Sequence, residues 1–344
     1  MNRTEKNTLL AQPVGHVDIT SFDARRIIDA MGEMSFTARE VASAEELFQK
    51  MIRDTDCTII LTLAGSAGAG GCLRVYHDMI KYNMVDVIVA SGATVVDMDF
   101  FEALGFRHYR ADRGCDDRKL RLLRIERIHD TLIDGEELQV CAATIKSIAD
   151  SLEPGPRSSR EFISRLGGYL VKSAKKRESL VQAAHENGVP VFCPTFSDSR
   201  AGLGLALHRQ GMPDGCVLID SVKDLDELAR IMMKASSSGL FMIGGGIPEQ
   251  AGMNMPACCE FLHAESRPHR YAVRVMDTDP AGGGPFESVM RESFQGGRGD
   301  VQQVQTAHAA ATLVLPLIAS SVYHRGDWKK RPRRNWAALF SPGG

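Results

Sequence analysis

The sequence lacks an apolar run long enough to cross a bilayer, a CxxC cysteine pair, and any histidine pattern of the HxxxH or HExxH kind. A membrane span needs about 18 apolar residues in succession, and zinc or redox sites usually show such spacings. We therefore expect a protein that does not contact a membrane and holds no metal. A net charge of −2 also argues against nucleic-acid binding driven by bulk electrostatics.

The eight cysteines are scattered and lie mostly in apolar stretches, which is typical of reduced core residues in a cytoplasmic protein. Residues 1–6 lack the apolar run of a signal peptide. With 44% hydrophobic and 24% charged residues, the chain has the composition of an ordinary globular protein. We expect a cytoplasmic protein.

Short apolar runs rich in valine and isoleucine alternate with segments of helical spacing. The runs lie at 57–63, 85–89, 189–192, 216–219, 240–243 and 271–275. A strand buried on both faces reads as a continuous apolar run. The pattern therefore predicts an α/β fold, with a mostly parallel sheet and helices on both faces.

The chain divides into three predicted parts. Residues 1–50 have helical spacing and form an N-terminal helical extension, residues 51–326 form one large domain, and residues 327–344 form a basic C-terminal tail. The tail carries two tryptophans among its basic residues, so RNA is one interpretation, but a solvated or subunit-contacting segment is the more usual one. We expect no nucleic-acid partner.

Two glycine-rich loops directly follow predicted strands. The first, at 64–71, reads Ala-Gly-Ser-Ala-Gly-Ala-Gly-Gly, and the second is the glycine triplet at 244–246. Glycine lets the backbone approach a phosphate closely, although the first loop is not GxGxxG and is equally well interpreted as a tight packing turn. The candidate cofactor contacts in these loops are Gly65, Ser66, Gly244, Gly245 and Gly246.

Polar residues follow two further predicted strands. Ser91, Gly92 and Ala93 come after the second strand, with Asp97 and Asp99 just beyond them, and Asp198 follows the strand at 189–192. Ligands of open α/β sheets bind at the carboxyl ends of the strands, where a carboxylate can accept ribose hydroxyls. Capping of the helix that follows them is an equally good interpretation of Asp97 and Asp99, and an Asx turn is the alternative for Asp198.

Several longer motifs resemble the deoxyhypusine synthase family, especially its bacterial deoxyhypusine synthase-like branch, which includes homospermidine synthases. They lie at 83–89, 190–194 with Ser197 and Asp198, 244–248, 315–320 and 323–326. The resemblance extends from about residue 13 to residue 336. It implies a Rossmann-like subunit of a homotetramer, with NAD near the subunit interfaces, that oxidises a polyamine and captures the resulting imine on a lysine.

Carried over by position, the resemblance assigns NAD contacts to a set of residues already singled out at the strand ends. They are Ser66, Ser91, Gly92, Ala93, Asp97, Asp198 and the loop 244–246. It also matches Glu292 to a glutamate that holds a substrate amine.

The reacting side departs from the family pattern. The family reads Ser-Trp-Gly-Lys where this chain reads Gln-Gly-Gly-Arg at 295–298, and the chain has no lysine between Lys234 and Lys329. Arg298 stays protonated and cannot act as an amine nucleophile. Glu249 stands where bacterial relatives usually have lysine, and Gln250 where eukaryotic enzymes have a catalytic histidine.

Three hypotheses follow. In the first, an NAD-dependent enzyme oxidises an amine or a basic amino acid to an imine without an enzyme-lysine intermediate; Arg298 clamps a substrate carboxylate and Glu292 holds an amine. The second is aminobutyl transfer of the homospermidine or deoxyhypusine kind, and the third a catalytically silent NAD-binding paralogue. The candidate catalytic residues are Arg298, Glu292 and Gln250.

Overall fold

The computed structural model describes residues 3–111, 114–213, 215–263, 268–277 and 303–341. Its main sheet has six strands, β1 (Cys57–Leu63), β2 (Val87–Ala90), β7 (Val191–Phe192), β9 (Ser237–Ile243), β10 (Tyr271–Met276) and β11 (Gln303–His308). Their order in the sheet is β11-β10-β9-β1-β2-β7, and every neighbouring pair is parallel. The predicted α/β fold with a mostly parallel sheet is confirmed.

Alpha-helices connect and flank the strands in the described part of the chain. They are α1 (Arg3–Leu9), α2 (Arg25–Gly32), α3 (Phe36–Arg53), α4 (Leu73–Lys81), α5 (Phe101–Ala103), α6 (Asp117–Leu122), α7 (Gly135–Asp150), α8 (Ser159–Ser173), α9 (Leu180–Asn187), α10 (Arg200–Gly211), α11 (Ser221–Lys234), α12 (Ile247–Met253), α13 (Met255–Phe261) and α14 (Ala311–Arg325). None of them is long and apolar enough to cross a membrane.

Helices cover both faces of the sheet. Alternate residues of β1 point to opposite faces and join two different cores. Ile59 and Leu61 join a core built with α3, α4, α8, α9 and α14, and Ile60 joins a second core built with α11, α12 and α13. On the first side, Phe48 of α3 packs on Phe241 of β9, with ring centroids 4.5 Å apart. The apolar runs are therefore continuous because both faces are buried.

One predicted strand belongs to a different sheet. Residues 216–219 were expected in the main sheet, but β8 (Val217–Ile219) pairs in parallel with β6 (Gly155–Arg157) in a separate two-stranded sheet. Leu218 is 45% exposed, so β8 is not buried on both faces. The apolar run indicated a strand correctly but carried no information about its partner.

A third sheet is antiparallel and lies outside the prediction. It contains β3 (His108–Arg110), β5 (Thr131–Asp134) and β4 (Ile125–Ile128) in that order. Five of the eight cysteines are buried, as expected of core residues.

Candidate functional site

The carboxyl ends of four strands are tied together by backbone hydrogen bonds. The N–H of Ser91 donates to Leu63 O at 3.0 Å, the N–H of Ala64 donates to Ile243 O at 3.0 Å, and the N–H of Gly244 donates to Val275 O at 2.9 Å. The loops that follow β2, β1 and β9 therefore start side by side. The candidate loops at 64–71, 91–93 and 244–246 share one edge of the sheet.

Two of these loops flank the point where the strand order reverses. From β1 the chain continues toward β2 and β7, whereas from β9 it continues toward β10 and β11 on the other side. Adjacent strands whose connections leave in opposite directions open a crevice at their carboxyl ends, and that crevice is where open α/β sheets bind ligands. The loops at 64–71 and 244–246 lie at this crevice.

Glycine is required in these two loops. Gly65, Gly244 and Gly246 have φ of 79°, 81° and 75°, a region that residues with a Cβ rarely adopt. A Cβ on Gly244 would also lie 2.7 Å from Ala64 O, whereas no atom of the described residues lies within 4 Å of a Cβ built on Gly65 or Gly246. The loops at 64–71 and 244–246 are therefore in contact. Gly65 and Gly246 are exposed, so their backbone is accessible to a ligand.

The N-terminal segment supports the first loop from outside. The N–H of Val17 donates to Gly71 O at 3.1 Å, and a Cβ on Gly71 would lie 2.9 Å from Gly15 O. Gly71 has φ of 111°. The end of the first glycine-rich loop is therefore held by close backbone packing.

Close packing at Gly92 brings the loop at 91–93 next to Asp198. A Cβ at Gly92 would lie 2.6 Å from Ser199 Oγ and 3.2 Å from Asp198 Oδ1. Asp198 is exposed, and Ser91 Oγ is 2.9 Å from Thr94 Oγ1. The structure thus places the exposed Asp198 carboxylate beside the loop at 91–93. Gly92 and Asp198 are 106 residues apart in the sequence.

The two carboxylates after this loop have different surroundings. Asp99 is buried and accepts hydrogen bonds from Ser179 Oγ at 2.6 Å and from the N–H groups of Leu180 and Val181 at 2.8 and 2.9 Å. It caps the start of α9, so the ribose interpretation of Asp99 is wrong: three donors already occupy it and no solvent reaches it.

Asp97 is only half buried and stays at the edge of the site. Its Oδ1 accepts a hydrogen bond from the N–H of Arg200, at the start of α10, at 2.7 Å. Burial raises the pKa of Asp97 to about 6, with Glu126 and Asp198 adding to the shift and the Arg200 contacts opposing it. Asp97 therefore caps α10 and not the helix that follows it in the chain, and its role as a cofactor contact remains a prediction.

A buried ion pair beside the glycine triplet was missed by the sequence prediction. Glu249 in the first turn of α12 lies 2.9 Å from Arg274 Nη2 through its Oε1, and both side chains are largely buried. Burial raises the pKa of Glu249 and lowers that of Arg274, although their attraction opposes both shifts. The available signal was an arginine inside the otherwise apolar strand β10.

Of the three candidate catalytic residues, only Gln250 lies within the described residues. Gln250 is exposed in the first turn of α12, next to the glycine triplet. Glu292 and Arg298 lie outside the described residues. Among the described residues, no group of three or more histidine, cysteine or acidic side chains is arranged to bind a metal ion.

Comparison with known sequences identifies relatives along the whole chain. The model of the deoxyhypusine synthase family matches residues 26–322. A deoxyhypusine synthase-like protein of Coxiella burnetii is 52% identical over 336 residues, which cover 97% of this chain and 96% of the relative. The protein of the same description from Caulobacter vibrioides is 46% identical, over 98% of this chain and 93% of the relative.

Comparison with solved structures supports the fold. A protein from Entamoeba histolytica described as a deoxyhypusine synthase aligns over 90% of this chain and 97% of its own, with a TM-score of 0.59 and 15% identity. A ternary complex of AgrE with ornithine and NAD+ aligns over 85% of this chain and 34% of its own, with a TM-score of 0.50 and 14% identity.

Proposed function

Because the chain belongs to the deoxyhypusine synthase family, we propose that it is an NAD-dependent enzyme that oxidises an amine or a basic amino acid to an imine without bonding it to a lysine of its own. The observation that carries this proposal is the convergence of the three loops at 64–71, 91–93 and 244–246 on one sheet edge. The absence of any lysine between Lys234 and Lys329 supports a reaction without an enzyme-lysine intermediate.

The residues at this edge fit a dinucleotide. No described residue fills the space beside Gly65 or Gly246, and backbone N–H groups can bind a pyrophosphate that approaches a glycine loop closely. The exposed carboxylate of Asp198, next to Gly92, can accept ribose hydroxyls. The same edge carries the other predicted contacts, Ser66, Ser91, Ala93, Asp97, Gly244 and Gly245. A bound NAD would supply a hydride acceptor for the carbon that carries the substrate amine.

The chain's own residues would select and orient the substrate. Glu292 would hold a cationic amine, and Arg298 would bind a carboxylate through two parallel hydrogen bonds. Arg298 does not become a neutral amine, so the imine would be attacked by water, by a second substrate or by an internal amine. For comparison, AgrE is a protein of similar fold whose complex contains ornithine and NAD+.

The experiment is to incubate purified protein and NAD with putrescine, spermidine, ornithine and arginine, and to follow NADH by absorbance and the products by mass spectrometry. Reduction with borohydride during turnover tests for a covalent intermediate. We expect NADH or an imine-derived product with at least one amine, and no substrate-derived mass on the protein. A borohydride-stable adduct on the protein would refute the proposal.

Aminobutyl transfer is the second candidate, supported by the deoxyhypusine synthase-like relatives that match nearly the whole chain. It predicts homospermidine from putrescine or spermidine in the same assay. Absence of turnover with every amine, together with retained NAD binding, would instead support a catalytically silent paralogue.

We further propose the homotetramer that the family resemblance implies, with NAD near the subunit interfaces. Light scattering after size-exclusion chromatography tests it. A mass of four chains is expected, and a monomer at micromolar concentration would refute it.

A further inference from the structure

A cavity of about 550 Å³ lies between α6, β4 and the start of α7. Its volume is in the range of small-molecule sites, which is roughly 300–1,000 Å³. We call it the α6–β4 cavity. Three arginines line it, Arg121, Arg124 and Arg127, and none of the described residues on its wall is a predicted cofactor contact. The cavity is therefore separate in its lining from the candidate cofactor site.

The stretch that forms most of this wall is basic. Residues 118–127 contain five arginine or lysine residues and one acidic residue, in a chain whose net charge is −2. Leu120 and Ile125 of this stretch are buried in the small core of the antiparallel sheet, whereas Arg121 and Arg124 are exposed. Because the apolar residues are buried, the basic ones are left on the outer surface, where their positive charge attracts anions.

Both carboxylates on the wall of the α6–β4 cavity already pair with an arginine. Asp117 Oδ1 is 2.7 Å from Arg127 Nη2, and Asp117 Oδ2 accepts a hydrogen bond from the same nitrogen at 2.8 Å. Glu126 pairs with Arg200 of α10. The negative charges of the wall are therefore neutralised by Arg127 and Arg200, and not by the other two arginines.

Those two arginines have no close counter-ion in the part of the chain that the structure describes. The Arg121 side chain forms no ion pair with a described residue. Arg124 Nη1 is 3.7 Å from Glu136 Oε1, which is beyond hydrogen-bond distance, and both side chains are exposed. The carbonyl of Arg124 accepts a hydrogen bond from the N–H of Gly135 at 2.9 Å, which fixes its backbone beside α7. Two guanidinium groups therefore remain available on the wall.

The chemistry of the wall selects a phosphate. The forked N–H groups of a guanidinium match the oxygens of carboxylates and phosphates, and two positive charges attract a doubly charged anion more strongly than a singly charged one. A phosphate monoester carries about two negative charges at neutral pH, whereas a carboxylate carries a single one. A phosphate alone would fill a small part of the cavity, and Leu120 and Ile125 on the same wall can contact an uncharged part of the ligand.

We propose that the α6–β4 cavity binds the phosphate group of a small phosphorylated molecule, such as a sugar phosphate or a nucleoside monophosphate, through Arg121 and Arg124. The site is distinct from the sheet edge proposed for NAD, so it does not depend on the proposed function. It is connected to that edge through Arg200, whose side chain pairs with Glu126 and whose N–H donates to Asp97 Oδ1 at 2.7 Å. The phosphates of NAD itself are the competing source of the same chemistry, and the test distinguishes the two.

The test is calorimetric titration of the full chain, at constant ionic strength, with ribose 5-phosphate and adenosine 5′-monophosphate, and with uncharged ribose for comparison. Each titration is made with and without saturating NADH. We expect at least one phosphate compound to bind about tenfold or more tightly than ribose, with a Kd that NADH changes by less than about twofold. Loss of all phosphate binding in the presence of NADH would place the phosphate in the cofactor site and overturn the proposal. Failure to bind either phosphate compound would also overturn it.

Arg121→Gln and Arg124→Gln each remove one positive charge from the wall and should weaken phosphate binding about tenfold. Arg118→Gln is the matched control, because Arg118 is an exposed arginine of α6 that does not line the cavity, and its affinity should stay within about twofold of the parent. All three side chains are exposed, so we expect the variants to fold, which thermal melting checks. Unchanged affinity in both wall variants, or an equal loss in Arg118→Gln, would refute the site.

Discussion

Arg331 and Asp86 form a buried ion pair that ties the C-terminal segment to the base of the main sheet. Their side chains are 0% and 1% exposed. Arg331 Nη1 donates to Asp86 Oδ1 at 2.9 Å and Arg331 Nη2 to Cys57 O at 2.8 Å, while the N–H of Ile59 donates to Asp86 Oδ2 at 2.7 Å. Residues predicted as a basic tail therefore include one that packs against β1.

Replacing Asp86 with asparagine should destabilise the protein strongly, because Arg331 would keep its charge in a buried position without a counter-ion. We expect the free energy of unfolding to fall by roughly 3 kcal/mol or more, measured by urea denaturation. Lys330→Ala, at a side chain 85% exposed, is the control and should change it by less than about 0.5 kcal/mol. A loss below about 1 kcal/mol in Asp86→Asn would contradict the structural role.

Asp224 should make stability depend on pH. Burial raises its pKa to about 7, although hydrogen bonds from Ser159 and Arg160 oppose the shift. The folded state then binds the Asp224 proton more tightly than the unfolded state does. The stabilisation of the folded state by protonated Asp224 is therefore complete below about pH 4 and is lost as the pH rises to about 7. Asp224→Asn removes this decline.

The measurement is the free energy of unfolding at pH 5 and pH 8 for the parent and for Asp224→Asn. Relative to the parent, the variant should gain roughly 2–3 kcal/mol between these pH values, since each pH unit in the window is worth about 1.4 kcal/mol. Asp226→Asn, at an exposed position of the same helix, should follow the parent. Parallel curves for Asp224→Asn and the parent would rule out the effect.

Gly92→Ala should weaken NAD binding, because the new methyl would displace Ser199 and with it Asp198 from the cofactor edge. We expect about a tenfold loss of NAD affinity by calorimetry, the cost of one displaced hydrogen bond to a charged group. Gly211→Ala at the end of α10, where the nearest atom would be 4.0 Å away, should bind NAD like the parent. Equal affinities in both variants would remove this edge from the cofactor site.

Arg298→Ala should discriminate between substrates with and without a carboxylate. If Arg298 clamps a carboxylate, KM for ornithine should rise about tenfold or more while KM for putrescine changes little, since a charged hydrogen-bonded contact is worth about 1.5–3 kcal/mol. Initial rates of NADH formation measure both. A matching change for the two substrates, or no change for either, would exclude the clamp.

The location of the candidate site was largely predictable from the sequence, whereas the role of single carboxylates was not. Glycines after buried strands indicated Gly65 and Gly244–Gly246, because positive φ and close approach are local requirements. Asp97 and Asp99 are two residues apart and look alike in the sequence. Asp99 is bonded to the start of α9, about 80 residues later, and Asp97 to the start of α10. Local sequence cannot indicate such partners.

By itself the sequence determined the class of fold, the strands of the main sheet before β11 and the loops at its edge, because burial on both faces and glycine backbone geometry leave local patterns. The tertiary structure alone decided which strands are neighbours, that β8 lies in another sheet, and that Glu249 meets Arg274. Those relationships depend on packing between distant segments, and a buried carboxylate is recognised only when the atoms around it are known.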